Sequence, residues 1–112
     1  HRAAYPLSRS RYDRVAAFTY SRLDEKLSVA DMAAIAGMEP SGFTRSLRAR
    51  TGLAPFAWLT RLRMDRAQQL LAAGYSVTHV AGRVGYANAS KFAAAFHRMV
   101  GVAPSEWRAR CG

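Results

Sequence analysis

Cysteine occurs once, at Cys111, so no disulfide can form within the chain, and a reducing compartment fits that usage. Acidic residues are few: seven Asp and Glu stand against seventeen Lys and Arg, a formal net charge of +10. Lysine is scarcer still, with only Lys26 and Lys91 among the seventeen. No apolar run approaches the roughly 20 residues of a membrane span, and no charged-then-apolar leader with a cleavage site is present. A cytoplasmic protein without a membrane partner is therefore expected. Alternating strand patterns of useful length are missing too, which leaves an all-α fold. His79 and His97 have no Cys or carboxylate at metal-ligand spacing, and no Ser or Cys has a base and an acid placed by motif. Neither an enzyme nor a bound metal or cofactor is expected.

What the chain does have is enough apolar material to fold and an excess of arginine. Half of its 112 residues are hydrophobic and 21% are charged, a globular composition. Arginine's planar fork bonds phosphate and the guanine edge bidentately, so a basic chain rich in it points to a polyanion as partner.

A repeat settles the architecture. At an offset of 48, Ser28, Val29, Ala33 and Gly37 recur as Ser76, Val77, Ala81 and Gly85. At an offset of 49, Ser41, Phe43, Leu47, Gly52, Pro55 and Trp58 recur as Ser90, Phe92, Phe96, Gly101, Pro104 and Trp107. One residue is inserted after the second glycine. Several of these matches involve Gly, Pro, Phe or Trp, whose backbone and packing roles are specific, so the chain holds two copies of one unit.

Each copy has the same grammar. Ser28 suits the N-cap of a short helix with Val29, Met32, Ala33 and Ala36 at helical spacing, and Gly37 ends it. A second helix runs from about Pro40 to Arg50, with Phe43 and Leu47 on one face. Copy two repeats this with Ser76 as cap, Gly85 at the turn and Asn88 capping a helix that buries Phe92, Phe96 and Met99. Two short helices joined by a glycine-containing turn make a helix-turn-helix. Between the copies, Pro55 to Ala73 carries Phe56, Leu59, Leu62, Met64, Ala67, Leu70 and Leu71 along an amphipathic helix that Gly74 stops. Nineteen residues span roughly 28 Å, close to the roughly 34 Å of one DNA turn, so such a strut can serve two reading heads.

The expected organisation is about seven helices. Residues 1–9 form a flexible tail, 10–53 the first helix-turn-helix unit, 54–74 the linker helix and 75–112 the second unit. The first helix runs from about Ser10 to Glu25 with Tyr12, Val15, Ala16, Thr19 and Leu23 inward, and Pro104 to about Arg110 form the last. Trp58, Trp107, Met32, Met64 and Met99 are expected in the core.

Opposite Phe43 and Leu47 the helical wheel sets Ser41, Thr44, Arg45 and Arg48. Arg45 can donate two hydrogen bonds to guanine O6 and N7, and Thr44 can bond a base or touch a thymine methyl, while Arg48 is better placed for phosphate. In copy two the outer face carries Ser90, Lys91, Ala94, His97 and Arg98, with Ala94 in the place of Arg45. A methyl group reads no base by hydrogen bonds. The first head is therefore expected to discriminate through Ser41, Thr44 and Arg45, and the second to anchor on the backbone, with Arg48, through Ser90, Lys91, His97 and Arg98.

The stretches LSVADMAAIAGMEPSGFTRSL, WLTRLRMDRAQQLL, SVTHVAGRVGYANASKF and FHRMVGVAPSEWR together resemble the C-terminal DNA-binding domain of the AraC/XylS family of bacterial transcription regulators, over about residues 10 to 110. The resemblance implies a monomeric module of two helix-turn-helix units flanking a long helix, bound to a double-stranded DNA operator. It also implies an effector or dimerisation domain outside these residues and, for an activator, contact with RNA polymerase. Carried over, the family's first recognition helix falls on Ser41, Thr44 and Arg45, and its second on Ala89, Ser90, Ala93 and Ala94. Three departures follow from the resemblance. Glu39 stands where Ser is usual, giving a weaker cap and a negative charge near DNA; Ala94 stands where Arg is common; His97 stands where Lys or Arg is common, so anchoring there would depend on pH near 6.5.

The rival readings are a non-specific basic binder of RNA or membranes, and a helical protein-interaction module with only non-specific nucleic-acid binding. The first would need exposed aromatics beside arginine, whereas the repeated aromatics here sit at positions expected to be buried.

Overall fold

Ser, Asn and Gly set several helix ends in the computed structural model, which describes residues 5–111. Seven helices and no strand are found among the described residues: α1 (Arg9–Tyr20), α2 (Val29–Ala36), α3 (Pro40–Thr51), α4 (Pro55–Ala72), α5 (Val77–Arg83), α6 (Ala89–Val100) and α7 (Pro104–Cys111). Ser8, Ser28, Ser76 and Asn88 each accept from the backbone N–H three residues on, at 3.2, 3.0, 3.1 and 2.8 Å. These bonds satisfy donors that the first helical turn leaves without a partner. At Ser28 the cap is reciprocal: its N–H donates to the Asp31 carboxylate at 2.9 Å, and these bonds hold that carboxyl below its ordinary range. Gly37 ends α2 at φ +69°, the left-handed region that side chains disfavour.

Glu39 makes no such bond, so α3 begins uncapped. Replacing Glu39 with Ser should raise stability by about 0.5 to 1 kcal/mol, the cap gained less the attraction between the carboxylate and the helix dipole. Urea denaturation checks this; no gain would mean that a hydroxyl at this position cannot reach the first-turn amides.

The chain divides into two units. The first holds the described residues through Arg22 together with Lys26–Thr60, and the second holds Leu23–Glu25 and the residues from Arg61 on. α4 is thus shared, its first six residues lying in the first unit. Within the first unit α1 packs on α2 and α2 on α3, with Val15, Met32, Phe43 and Leu47 fully buried. In the second, Met64, Leu71, Val80, Phe92 and Phe96 form a core to which Tyr86 and Trp107 add their rings. Tyr86, Phe92, Phe96 and Trp107 form a chain with centroids 5.7, 5.6 and 6.3 Å apart, each pair contributing about 0.5 to 1.5 kcal/mol beyond its burial. The Trp107 indole N–H donates to the Gln68 carbonyl, and the Arg108 guanidinium donates to the carbonyls of Tyr75 and Gly74, which ties α7 to the end of α4.

Several expectations need correction. The flexible tail was expected over residues 1–9; residues 1–4 lie outside the described residues, but Leu7 is only 3% exposed, Ser8 caps α1 and Arg9 begins it. α1 ends at Tyr20 instead of Glu25, where the Ser21 and Arg22 N–H groups turn back onto Ala17 and Thr19 carbonyls. Phe56 and Met99 are not core residues. They are 74% and 43% exposed: in the first turns of α4 the buried side is that of Pro55, Trp58 and Leu59 and not of Phe56, and Met99 lies at the end of α6.

Candidate nucleic-acid interface

The eight residues expected to meet a polyanion fall on two helices, one in each unit. On α3, Phe43 and Leu47 are wholly buried, and this anchors the rotation of the helix about its axis. Ser41, Arg45 and Arg48 are exposed on the other side, and Thr44 is half-buried at its edge. Neither Arg45 nor Arg48 has a hydrogen-bond or ion-pair partner among the described residues, so both forks are uncommitted. The Thr44 hydroxyl donates to the Pro40 carbonyl at 2.9 Å, one turn earlier. Its remaining capacity is two lone pairs and a methyl group, narrower than a free hydroxyl offers.

On α6 the same logic holds with different chemistry. Phe92, Ala95 and Phe96 are buried, and Ser90, Lys91, Ala94, His97 and Arg98 are exposed. Ala89 and Ala93 are half-buried. Ala94 is thus outward-facing as expected, and it has nothing with which to donate or accept. Lys91 lies in the first turn, where its own N–H meets the Asn88 side chain, and His97 and Arg98 lie in the last. Arg98 and Arg63 both face the Tyr86 phenol: burial pushes that phenol's pKa up, and the two cations oppose the shift.

The remaining arginines divide by what holds them. Arg61 is exposed, whereas Arg63 on the same helix is half-buried, donating to the Glu25 carbonyl at 2.9 Å and lying against Gly85. Burial without a carboxylate partner lowers the Arg63 pKa, though a guanidinium keeps its charge at any physiological pH. Arg50, in the last turn of α3, was not singled out from the sequence. Its guanidinium donates to the Leu7 carbonyl at 3.0 Å and lies 4.9 Å from the centroid of the Tyr12 ring. Position 50 falls within about 40° of the buried stripe on the wheel, a signal that the charge masks.

The repeated aromatics Phe43, Trp58, Phe92 and Phe96 are buried, while Tyr5, Phe56 and Tyr75 are exposed at positions outside the repeat. No group of three or more possible metal ligands occurs among the described residues, and no described helix is long and apolar enough to cross a membrane.

A family model described as a helix-turn-helix domain matches residues 32–110, which takes in both candidate helices. The probable transcriptional regulator LumQ of Photobacterium leiognathi is 31% identical over 87 residues, 77% of this chain and 35% of that protein. The chain spans about a third of the length of such curated relatives. Among solved structures, an AraC-type transcriptional regulator from Chromobacterium violaceum shares the fold, with a TM-score of 0.85 at 22% identity over 92% of this chain and 93% of that one. The DNA-binding domain of AdpA, a global transcriptional factor, solved in complex with a target DNA, is 36% identical with a TM-score of 0.80, covering 92% of this chain and 93% of that chain.

Proposed function

We propose that the chain, which belongs to the AraC-type helix-turn-helix family, is the sequence-specific double-stranded DNA-binding module of a bacterial transcription regulator. In this proposal α3 and α6 enter successive major grooves of one operator. α3 discriminates, with Arg45 bidentate to guanine, Ser41 and Thr44 contacting neighbouring bases and Arg48 on phosphate. α6 anchors through Ser90, Lys91, His97 and Arg98, because Ala94 supplies no hydrogen bond to a base. The observation that carries the proposal is the pair of uncommitted forks on the outer face of α3, in a chain 36% identical to a domain solved on its target DNA.

The module has no catalytic role in this proposal, acts in the bacterial cytoplasm, and leaves effector binding or dimerisation to a companion domain and activation to contact with RNA polymerase. Selection of binding sites from random duplex DNA at about 150 mM salt tests it, since non-specific binding is weak at that ionic strength. The expected result is an asymmetric motif, strong over one segment and weak about one helical turn away. No enrichment, with binding that vanishes as salt rises, would favour a helical protein-interaction module with only non-specific nucleic-acid affinity.

A further inference from the structure

The peptide that precedes α1 is built onto the back of α3. Leu7 is buried, and both of its backbone groups reach the helix: its N–H donates to the Ser46 carbonyl at 3.2 Å, and its carbonyl accepts from Arg50 Nη1 at 3.0 Å. A carbonyl within a helix keeps a second lone pair after its own helical bond, so Ser46 can accept Leu7 without breaking α3. The Arg50 guanidinium continues the connection by lying over the Tyr12 ring, and the Tyr12 hydroxyl accepts from the Trp58 indole at 3.3 Å. Leu7, α3, α1 and the start of α4 are thus joined by one series of directional contacts, all within the first unit.

Directional contacts on one side of a helix fix what its other side presents. Arg45 and Ser46 are adjacent, so a small rotation or slide of α3 that lengthens the Leu7 bond to Ser46 also displaces Arg45. A bidentate pairing to a base edge tolerates little such movement, because two parallel hydrogen bonds must both keep their geometry. Arg50, moreover, spends its fork on a carbonyl of its own chain and so stands apart from the arginines available to phosphate.

We propose that Leu7 and Arg50 are positioning residues for DNA recognition: the segment Tyr5–Ser8 is a strap that sets the register of α3 and thereby the sequence discrimination of the domain. The proposal rests on α3 being the discriminating helix, and its test separates the two.

The 112-residue chain and its variants Leu7→Ala, Leu7→Met, Arg50→Ala and Arg45→Ala would be titrated by fluorescence anisotropy against a selected operator and a random duplex, at a temperature where circular dichroism shows each variant folded. Leu7→Ala and Arg50→Ala are expected to lower the operator-to-random affinity ratio roughly tenfold, the scale of one mismatched base pair. Leu7→Met, which conserves volume, should restore the ratio. Arg50→Ala should leave the salt slope unchanged, since its partner is a carbonyl. An unchanged ratio in folded Leu7→Ala and Arg50→Ala, with Arg45→Ala still lowering it, would overturn the strap alone. An unchanged ratio for Arg45→Ala as well would overturn the assignment of α3 and the strap with it. A salt slope reduced by about one for Arg50→Ala would make Arg50 a phosphate contact and overturn its positioning role. Should Leu7→Ala fail to fold, the Arg50 and Leu7→Met variants carry the same comparison.

Discussion

Replacing Arg45 with alanine is expected to weaken binding to the selected operator by about 1 to 3 kcal/mol, roughly 5- to 150-fold, and to relax the preference at a single base pair. The physical basis is that the guanidinium has no partner among the described residues, so the substitution disturbs nothing in the free protein. Its whole effect falls on the complex, where two hydrogen bonds to guanine O6 and N7 are lost and those acceptors are left without donors. Random duplex should lose far less, only the share due to one positive charge. Arg98→Ala is the contrast: it should weaken all sequences alike and lower the salt slope by about one. Competition titrations against operators substituted at each position resolve the two patterns. Equal losses for Arg45→Ala on every sequence would assign it to the backbone.

The largest effect on folding is expected at Gly85, where alanine should cost about 3 kcal/mol or more, against about 1 kcal/mol at its counterpart Gly37. Both glycines sit in the left-handed region, at φ +88° and +69°, so the backbone strain of a side chain is comparable. Their surroundings differ. A Cβ on Gly37 would meet nothing within 4 Å, whereas one on Gly85 would run into the Leu23 carbonyl and lie 3.0 Å from Arg63 Nη2. The carbonyl is backbone and cannot swing aside as a flexible side chain would, and Arg63 is held by its bond to the Glu25 carbonyl. Urea unfolding of the two variants side by side isolates the packing contribution, since strain is common to both. Similar losses would mean that the contact among Leu23, Arg63 and Gly85 yields at little cost.

This pair of glycines also shows how far the sequence could be read. Gly37 and Gly85 are related by the internal repeat, and together with Ser28, Ser76 and Asn88 they mark helix ends that the structure places within a residue or two. Local chemistry decides such ends, and local chemistry is visible in sequence. The outward placement of Arg45, Arg48, Lys91 and Arg98 follows equally from the spacing of Phe43, Leu47, Phe92 and Phe96. What sequence did not reveal is decided by tertiary contact. Leu7 is a lone apolar residue in a polar stretch with no period to mark it, and its burial depends on a helix some forty residues away. Arg50 and Arg63 look like surface cations until their forks are seen to end on carbonyls. Phe56 and Met99 erred in the opposite sense: each fits a helical period, yet Phe56 lies off the side that Pro55, Trp58 and Leu59 bury, and Met99 lies at the exposed end of α6.

The two candidate faces differ in how their charge can be changed after the protein is made. On the outer face of α3, away from Phe43 and Leu47, the charge is carried by Arg45 and Arg48, and a guanidinium is not a target of lysine acetylation. On α6 the exposed set includes Lys91, whose ammonium acetylation would neutralise. The face assigned to discrimination therefore offers no ammonium to acetylate, while the grip assigned to α6 is open to covalent adjustment at Lys91. Under that proposal, acetylation of Lys91 would loosen the domain's grip on DNA while leaving the face assigned to discrimination unchanged.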